Sequence, residues 1–325
     1  MHLLPFEKIK RTLLVKKEAE TNPNLGVYPE KRTMEELFEK GVININKPKG
    51  PSSHMVSYHV KNILHCNKVG HGGSLDPGVT GVLPCGLNKA TGVLNALLTA
   101  GKEYITIMHI HKPVEEEKIR KACEEFIGEI TQLPPKKSSV KRVERKRNVY
   151  YFDILEINEQ DVLFRLGSQA GTYVRRICDD VGKKLGTGAH MAELIRTKAG
   201  PFKQEDWVNL QELEDAYAFW KEDEDERLLK KFIKPMEFAV SHLPKIYVLD
   251  SSVDTLCHGA PLHIPGISKL DSGIEKDDKI AIMTLKGELI CLATAEMSSE
   301  QILKEERGLA AKSDRVLMDC GVYKS

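Results

Sequence analysis

The sequence predicts an α+β fold with mixed sheets, followed by a small β-rich domain at the C-terminal end. Three observations carry that expectation. Segments with strand-like alternation and segments with helical periodicity follow one another through the first two thirds of the 325 residues. Beyond Pro244 the character changes to apolar β-formers, as in I-Y-V-L-D and K-I-A-I-M-T-L-K-G-E-L-I-C-L-A-T-A. No internal repeat or low-complexity tract competes with this reading, and 41% hydrophobic residues are enough for a sizeable core in one large domain or two.

The elements follow in order. Residues up to about 40 are polar and broken by Pro23, Gly26 and Pro29, which predicts an extended arm in need of another surface. Residues 42–53 read as a short alternating strand ending in a Pro/Gly turn, with Ser52 or Ser53 capping a helix through Leu64. Residues 91–98 are apolar and helical, 103–111 are β-rich, and 115–127 have helical periodicity. A basic block, K-K-S-S-V-K-R-V-E-R-K-R at 136–147, precedes a hairpin built from 148–157 and 161–168. Residues 173–185 form the next helix, stopped by Gly186 and Gly188. A linker is expected over 201–243, containing the acidic run E-D-E-D-E at 222–226. In the C-terminal domain a tight turn falls at Lys286-Gly287.

Charge and cysteine usage narrow the function classes. Net charge is only +1, so nucleic-acid contact would have to come from local patches such as the basic block. An ordinary reading of that block is a solvated loop. The seven cysteines include no C-x-x-C pair, so no zinc site is expected, and the unpatterned count suits reduced thiols. The first residues, M-H-L-L-P-F-E-K-I-K, lack a signal peptide's apolar core, and no apolar run approaches the ~20 residues of a membrane span. A soluble cytoplasmic protein is expected, with no membrane contact.

The most specific segment is residues 70–90, G-H-G-G-S-L-D-P-G-V-T-G-V-L-P-C-G-L-N-K-A. It sets one carboxylate, Asp76, in a loop whose glycines allow close backbone approach. The dinucleotide fingerprint fails because Leu75 stands where its third glycine belongs, and no Gly-Lys-Ser/Thr closes a P-loop. A plain turn with a solvated aspartate remains the bland alternative.

The segment resembles the catalytic loop of the TruB/dyskerin family of RNA pseudouridine synthases. N-K-P-K-G-P-S-S at 46–53, G-K-E-Y at 101–104, G-S-Q-A-G-T-Y-V-R-R-I at 167–177 and G-A-H-M-A-E-L-I-R-T at 188–197 resemble the family's other motifs, in the same order. H-G-A-P-L-H-I-P-G-I and R-V-L-M-D-C-G-V-Y are similar to a PUA domain, and E-T-N-P-N-L-G-V-Y-P-E-K-R resembles the archaeal and eukaryotic branch. The resemblance implies an arm at 1–35 packing on the PUA domain, a catalytic domain at 36–243 and an RNA-binding PUA domain at 244–325. It implies isomerisation of uridines in rRNA, guided by box H/ACA RNA, and of uridine 55 in tRNA, with neither metal nor cofactor.

The same resemblance distributes the roles. Asp76 is the nucleophile or general base, and Arg175 is the cation that keeps it ionised and oriented, since a nearby cation opposes the effect of burial. Tyr104 stacks on the flipped base, Tyr173 lines the pocket floor and Leu194 closes its apolar side. Read alone, these would be a helix-surface arginine, a half-buried strand tyrosine and a core leucine. His71 is tempting as an acid–base group, but the family implies a positional role near the RNA backbone. Lys47 and Pro48 are expected to shape the fold around the loop. Lys141, Arg142, Arg145, Lys146 and Arg147 are placed on a mobile loop that grips substrate RNA. The implied partners are guide RNA, a small zinc-ribbon-type protein, a small β-barrel protein and a kink-turn-binding protein. In a eukaryotic source the location would be nucleolar. Two alternatives stay open: a stand-alone bacterial-type tRNA uridine-55 synthase, and a non-catalytic RNA scaffold.

Overall fold

The structure, a computed structural model, describes residues 2–134 and 143–324, so Lys141 and Arg142 of the basic block lie outside the described residues. The N-terminal segment holds a short helix, α1 (Pro5–Lys8), and a strand, β1 (Leu13–Val15). It then enters α2 (Met34–Lys40), which corrects the expectation of an extended arm up to residue 40. The reason is local: the Glu36 amide donates to Thr33 Oγ1 and the Thr33 amide to the Glu36 carboxylate, a capping box that starts a helix.

The central sheet follows. Its strands are β2 (Gly41–Lys47), β3 (Val69–His71), β4 (Thr80–Leu87), β5 (Lys102–Ile110), β6 (Gly128–Gln132), β7 (Arg145–Asn158), β8 (Asp161–Ser168), β9 (Ala189–Ala199), β10 (Phe202–Lys203) and β11 (Ile233–Pro235). The path through it is β11-β2-β4-β9-β5-β8-β7-β6, with β3 beside β4 and β10 beside β9. β4 and β9 run parallel while their other neighbours are antiparallel, so the sheet is mixed as predicted. At that parallel junction Gly81 has φ +107°, and a Cβ there would lie 2.3 Å from the Arg196 carbonyl oxygen. Only glycine allows the two strands to close at this point.

Helices cover the sheet on two patches. α3 (Ser53–Ile63) is followed by α4 (Asn95–Leu98), α5 (Glu116–Glu124) and α6 (Val174–Lys184). α5 and α6 pack Ile119, Ile177 and Val181 on Phe164 and Leu166 of β8. The expected linker at 201–243 is instead part of the sheet's cover: α7 (Leu210–Asp223) and α8 (Arg227–Phe232) bury Leu213, Ala216 and Leu229 against Val56, Val60 and Leu83, and β11 pairs with β2. The apolar positions Leu213, Ala216, Tyr217 and Trp220 fall at helical spacing and form one stripe. The acidic run lies at the end of α7 and in the turn after it, where Glu224 takes φ +56°.

The C-terminal domain contains β12 (Lys245–Val248), α9 (Asp250–Cys257), β13 (Leu262–His263), β14 (Ile267–Asp271), β15 (Lys279–Met283), β16 (Leu289–Ala295), α10 (Ser299–Lys304) and β17 (Leu309–Val316). The strands line up as β1-β14-β12-β15-β16-β17-β13, so the N-terminal strand supplies an edge of this sheet. The tight turn between β15 and β16 has Gly287 at φ +85°. The two domains share a core in which Val42, Val82 and Leu97 meet Ala281, Met283 and Leu289. Arg32 joins arm and domains by gripping Glu237 with two hydrogen bonds of 2.7 and 2.9 Å, while Glu237 also accepts from the Leu289 amide.

Candidate active site

The loop between β3 and β4 carries Asp76, and it is tied from behind. Lys47, at the end of β2, is fully buried and donates to the carbonyl oxygens of Pro48, Pro77 and Val79 at 2.8, 3.2 and 2.8 Å. Ser53 Oγ donates to the Leu75 carbonyl and accepts from the Leu75 amide, at 3.0 and 2.8 Å. Arg196, in the middle of β9, donates from Nε to Val82 O and from Nη2 to Gly73 O at 2.8 and 2.9 Å, with Nη1 3.4 Å from Ser74 O. These donors satisfy carbonyls that a loop of glycine and proline leaves without secondary-structure partners. Burial pushes the Lys47 ammonium below its ordinary pKa.

On the open side, the Asp76 carboxylate accepts a hydrogen bond from Arg175 Nη2. Their side chains are 60% and 53% exposed. Arg175 stands in the first turn of α6. Tyr173, half-buried, is the residue that caps this helix, and its backbone N–H and C=O both bond the Gln132 side chain, at 2.9 and 3.2 Å. That clamp fixes the start of α6 against the end of β6.

Tyr104 and Leu194 complete the neighbourhood. Leu194, 8% exposed, belongs to the same apolar cluster as Leu75 and Val79, and Tyr104 packs on that cluster. Tyr104 lies opposite Arg196 in the β5–β9 pairing, close enough for the guanidinium to act on its phenol. Burial pushes the phenol pKa up, and the guanidinium partly opposes it. His71 sits at the end of β3 with Nδ1 buried and unpartnered among the described residues. Burial, Arg196 and His54 hold its pKa below the usual imidazole value, so the ring is neutral at pH 7.

Asp76, Arg175, Tyr104 and Leu194 thus converge. The basic block does not behave as one loop: Arg145, Lys146 and Arg147 lie in β7, paired with Gln132, Thr131 and Ile130 of β6. Strand pairing on β6 removes them from a loop, and Lys146 also pairs with Glu129 at 2.8 Å. Two contributors escaped the sequence reading. Ser53 reads there as a possible helix cap, yet Ser52 takes that role, accepting from the Met55 amide. Arg196 reads as an ordinary position of its motif. The strand also carries His190, Glu193 and Lys198, so one more charge in L-I-R-T-K-A gave no signal.

Comparison with known proteins decides the family. Residues 61–174 match the TruB family pseudouridylate synthase N-terminal domain, and residues 175–241 match the tRNA pseudouridylate synthase B C-terminal domain. The "Probable tRNA pseudouridine synthase B" of Methanosarcina barkeri is 55% identical over 320 residues, covering 98% of this chain and 94% of that one. The chain belongs to the TruB family of pseudouridylate synthases. Residues 244–317 of this synthase match the PUA domain and residues 3–57 the DKCLD domain. The corresponding protein of Pyrococcus abyssi is 52% identical over 97% of this chain and 95% of its own. Among solved structures, a Cbf5-Nop10-Gar1 complex contains a chain 51% identical to this one, with a TM-score of 0.95 and coverage of 99% and 98%. An H/ACA RNP bound to a substrate RNA containing 2′-deoxyuridine contains another, at 50% identity, a TM-score of 0.92 and 99% coverage of both chains. The synthase is an isomerase acting on RNA.

A carboxylate on an accessible loop beside a cation can act as a nucleophile or as a general base. Among the described residues no group of three or more His, Cys, Asp or Glu side chains is placed to hold a metal ion, and no helix is long and apolar enough to cross a membrane.

Proposed function

We propose that this synthase converts uridine to pseudouridine in rRNA at positions chosen by a box H/ACA guide RNA, and at uridine 55 of tRNA, from within a ribonucleoprotein. The observation that carries the reading is the Asp76 carboxylate, held on a rigid loop against Arg175 with Tyr104 and Leu194 beside it. In the reaction the N1–C1′ bond breaks, the base turns, and a C5–C1′ bond forms. C5 loses a proton and N1 gains one, so no atom is added or lost overall. The base must leave its stack to be reached. Asp76 acts on the ribose, and Arg175 keeps it ionised and aimed. Tyr104 stacks on the extruded base, a contact worth roughly 1–3 kcal/mol, and its phenol serves the later proton transfer. Tyr173 lines the floor, Leu194 closes the apolar side, and His71 presents a neutral ring toward the RNA backbone.

The domains divide the work as arm (1–35), catalytic domain (36–243) and RNA-anchoring PUA domain (244–325). A small zinc-ribbon-type protein, a small β-barrel protein and a kink-turn-binding protein complete the particle. The partner names in the related Cbf5-Nop10-Gar1 complex support this arrangement, and the compartment is the cytosol. The test supplies full-length protein with tRNA and with a guided rRNA fragment, each with and without guide RNA and the partner proteins, and measures pseudouridine by mass analysis. Guide-dependent product on the rRNA fragment supports the reading. Product on tRNA alone, indifferent to guide and partners, would replace it with a stand-alone synthase. No product on either RNA would leave a scaffold.

A further inference from the structure

Arg196 is a buried cation of unusual surroundings. Its side chain is 2% exposed, and among the described residues no carboxylate pairs with it. It meets the carbonyls of Gly73, Ser74 and Val82, which bracket Asp76 on both sides along the chain, and it faces Tyr104 across the β5–β9 pairing. Its other charged or titratable neighbours are Lys102, His71 and Cys85, and its field disfavours a positive charge on the first two. An uncompensated buried charge costs several kcal/mol. Lys or Gln cannot make the same set of contacts, because only a guanidinium spreads five donors in a rigid plane.

Direction follows from the donor inventory. A guanidinium has no acceptor, so in any hydrogen bond between Arg196 and Tyr104 the phenol oxygen must accept. Facing a cation that can only donate, the phenol keeps its own proton for whatever occupies the pocket. We infer that Arg196 is a positioning residue: one guanidinium ties the Asp76 loop and the Tyr104 phenol into a single unit and aims the phenol's proton into the pocket. This inference rests on the proposed uridine isomerisation only for the pocket's occupant; the coupling of loop and phenol is a property of the free protein.

The test uses the full chain with 3-fluorotyrosine at position 104, the variants Arg196→Lys and Arg196→Gln, and ¹⁹F NMR titration of the ring. With Arg196→Gln the phenol midpoint should rise by about one pH unit or more, because an adjacent cation typically lowers an acid's pKa by about that much. Arg196→Lys should fall between that variant and the parent, and it carries the comparison if the neutral variant fails to fold. A midpoint unmoved in the folded variants overturns the inference. In single turnover with RNA, Arg196→Lys should slow isomerisation by about 10²-fold while RNA affinity holds, the effect of misplacing reacting groups by ~1 Å. In a Tyr104→Phe background the same substitution should cost less, since the phenol it orients is gone. Equal penalties in both backgrounds overturn the coupling. Failure of the parent protein to isomerise any uridine sinks the proposed function but leaves the titration result standing, so the two ideas fail separately.

Discussion

Behind the Asp76 loop, Lys47 and Arg196 are buried and point their donors at backbone carbonyls; in front of it, Asp76 and Arg175 meet each other with more than half of each side chain exposed. The two sides differ in what they contribute. A hydrogen bond from a charged donor is worth about 1.5–3 kcal/mol, and leaving its buried acceptor unpaired costs about 1–3 kcal/mol. An exposed ion pair contributes about 0–1 kcal/mol. Stiffness therefore resides behind the carboxylate, while the exposed contact in front opens at little cost. The loop is held by buried donors, and the carboxylate proposed to do the chemistry is held only loosely.

Asp76→Asn should show the largest effect and the cleanest separation. The change keeps size but removes the charge and, with it, the proposed nucleophile or general base. RNA binding should survive and pseudouridine formation should vanish in single turnover, with the urea-unfolding midpoint unmoved. A midpoint shift would mean that the front of the loop also stabilises the fold, and the contrast between the two sides would collapse.

Lys47→Met probes the other side. It should destabilise the protein by about 2–4 kcal/mol, because three buried carbonyls lose their donor and only part of that is offset by removing a buried charge. Activity should fall with it, since the loop is no longer held. A urea-unfolding change below about 0.5 kcal/mol, the size of an ordinary surface substitution, would show that Lys47 is not a strut.

A third prediction uses pH to tell buried from exposed groups. His242 donates from Nε2 to the Ala96 carbonyl, 3.2 Å away, and its ring meets the Phe6 ring edge-on. Burial first, then the nearby Lys245, Lys102 and Arg11 charges, push its pKa down to about 4. A base with a depressed folded pKa destabilises the fold once both states are protonated. Its contribution is complete above the unfolded value near 6.5 and is lost as pH falls through about 4. Unfolding free energy should fall across that window by a few kcal/mol, and His242→Phe should flatten the fall. An unchanged acid limb would move the pH sensitivity to another group.

How much of this was legible in the sequence depends on whether the deciding partner was near in the chain. The helix of α6 and its Gly186–Gly188 stop, the β7–β8 hairpin and the turn at Gly287 were readable because periodicity and glycine placement are local. The α7 stripe was equally local, but the acidic run and the surrounding polar residues masked it, so a covering helix read as a linker. β6 was missed because five residues with one apolar position, G-E-I-T-Q, carry little signal without their partner β7. At the site, Asp76, Tyr104, Arg175 and Leu194 were singled out through motifs. Arg196 was not, because its role depends on Gly73, Val82 and Tyr104, all at least 92 residues away in the chain except by the pairing of β9 with β4 and β5.

The smallest effect is expected at Lys146, where the comparison can be extended to the far edge of the sheet. Like Arg175, Lys146 is exposed and paired with a single carboxylate, Glu129, yet it sits on a strand rather than beside the pocket. If it contacts substrate RNA, it does so as one charge meeting one phosphate. Lys146→Gln should then reduce the magnitude of the log affinity against log salt slope by about 0.7–0.9, the increment for one lost phosphate contact. The unfolding midpoint should stay in place, since the pair with Glu129 is solvated, and the single-turnover rate at saturating RNA should be unchanged. Glu129→Gln supplies the opposite arm: freeing Lys146 from its carboxylate should strengthen binding slightly at low salt. A slope unchanged in both variants would make Lys146 a solvated charge that meets no phosphate.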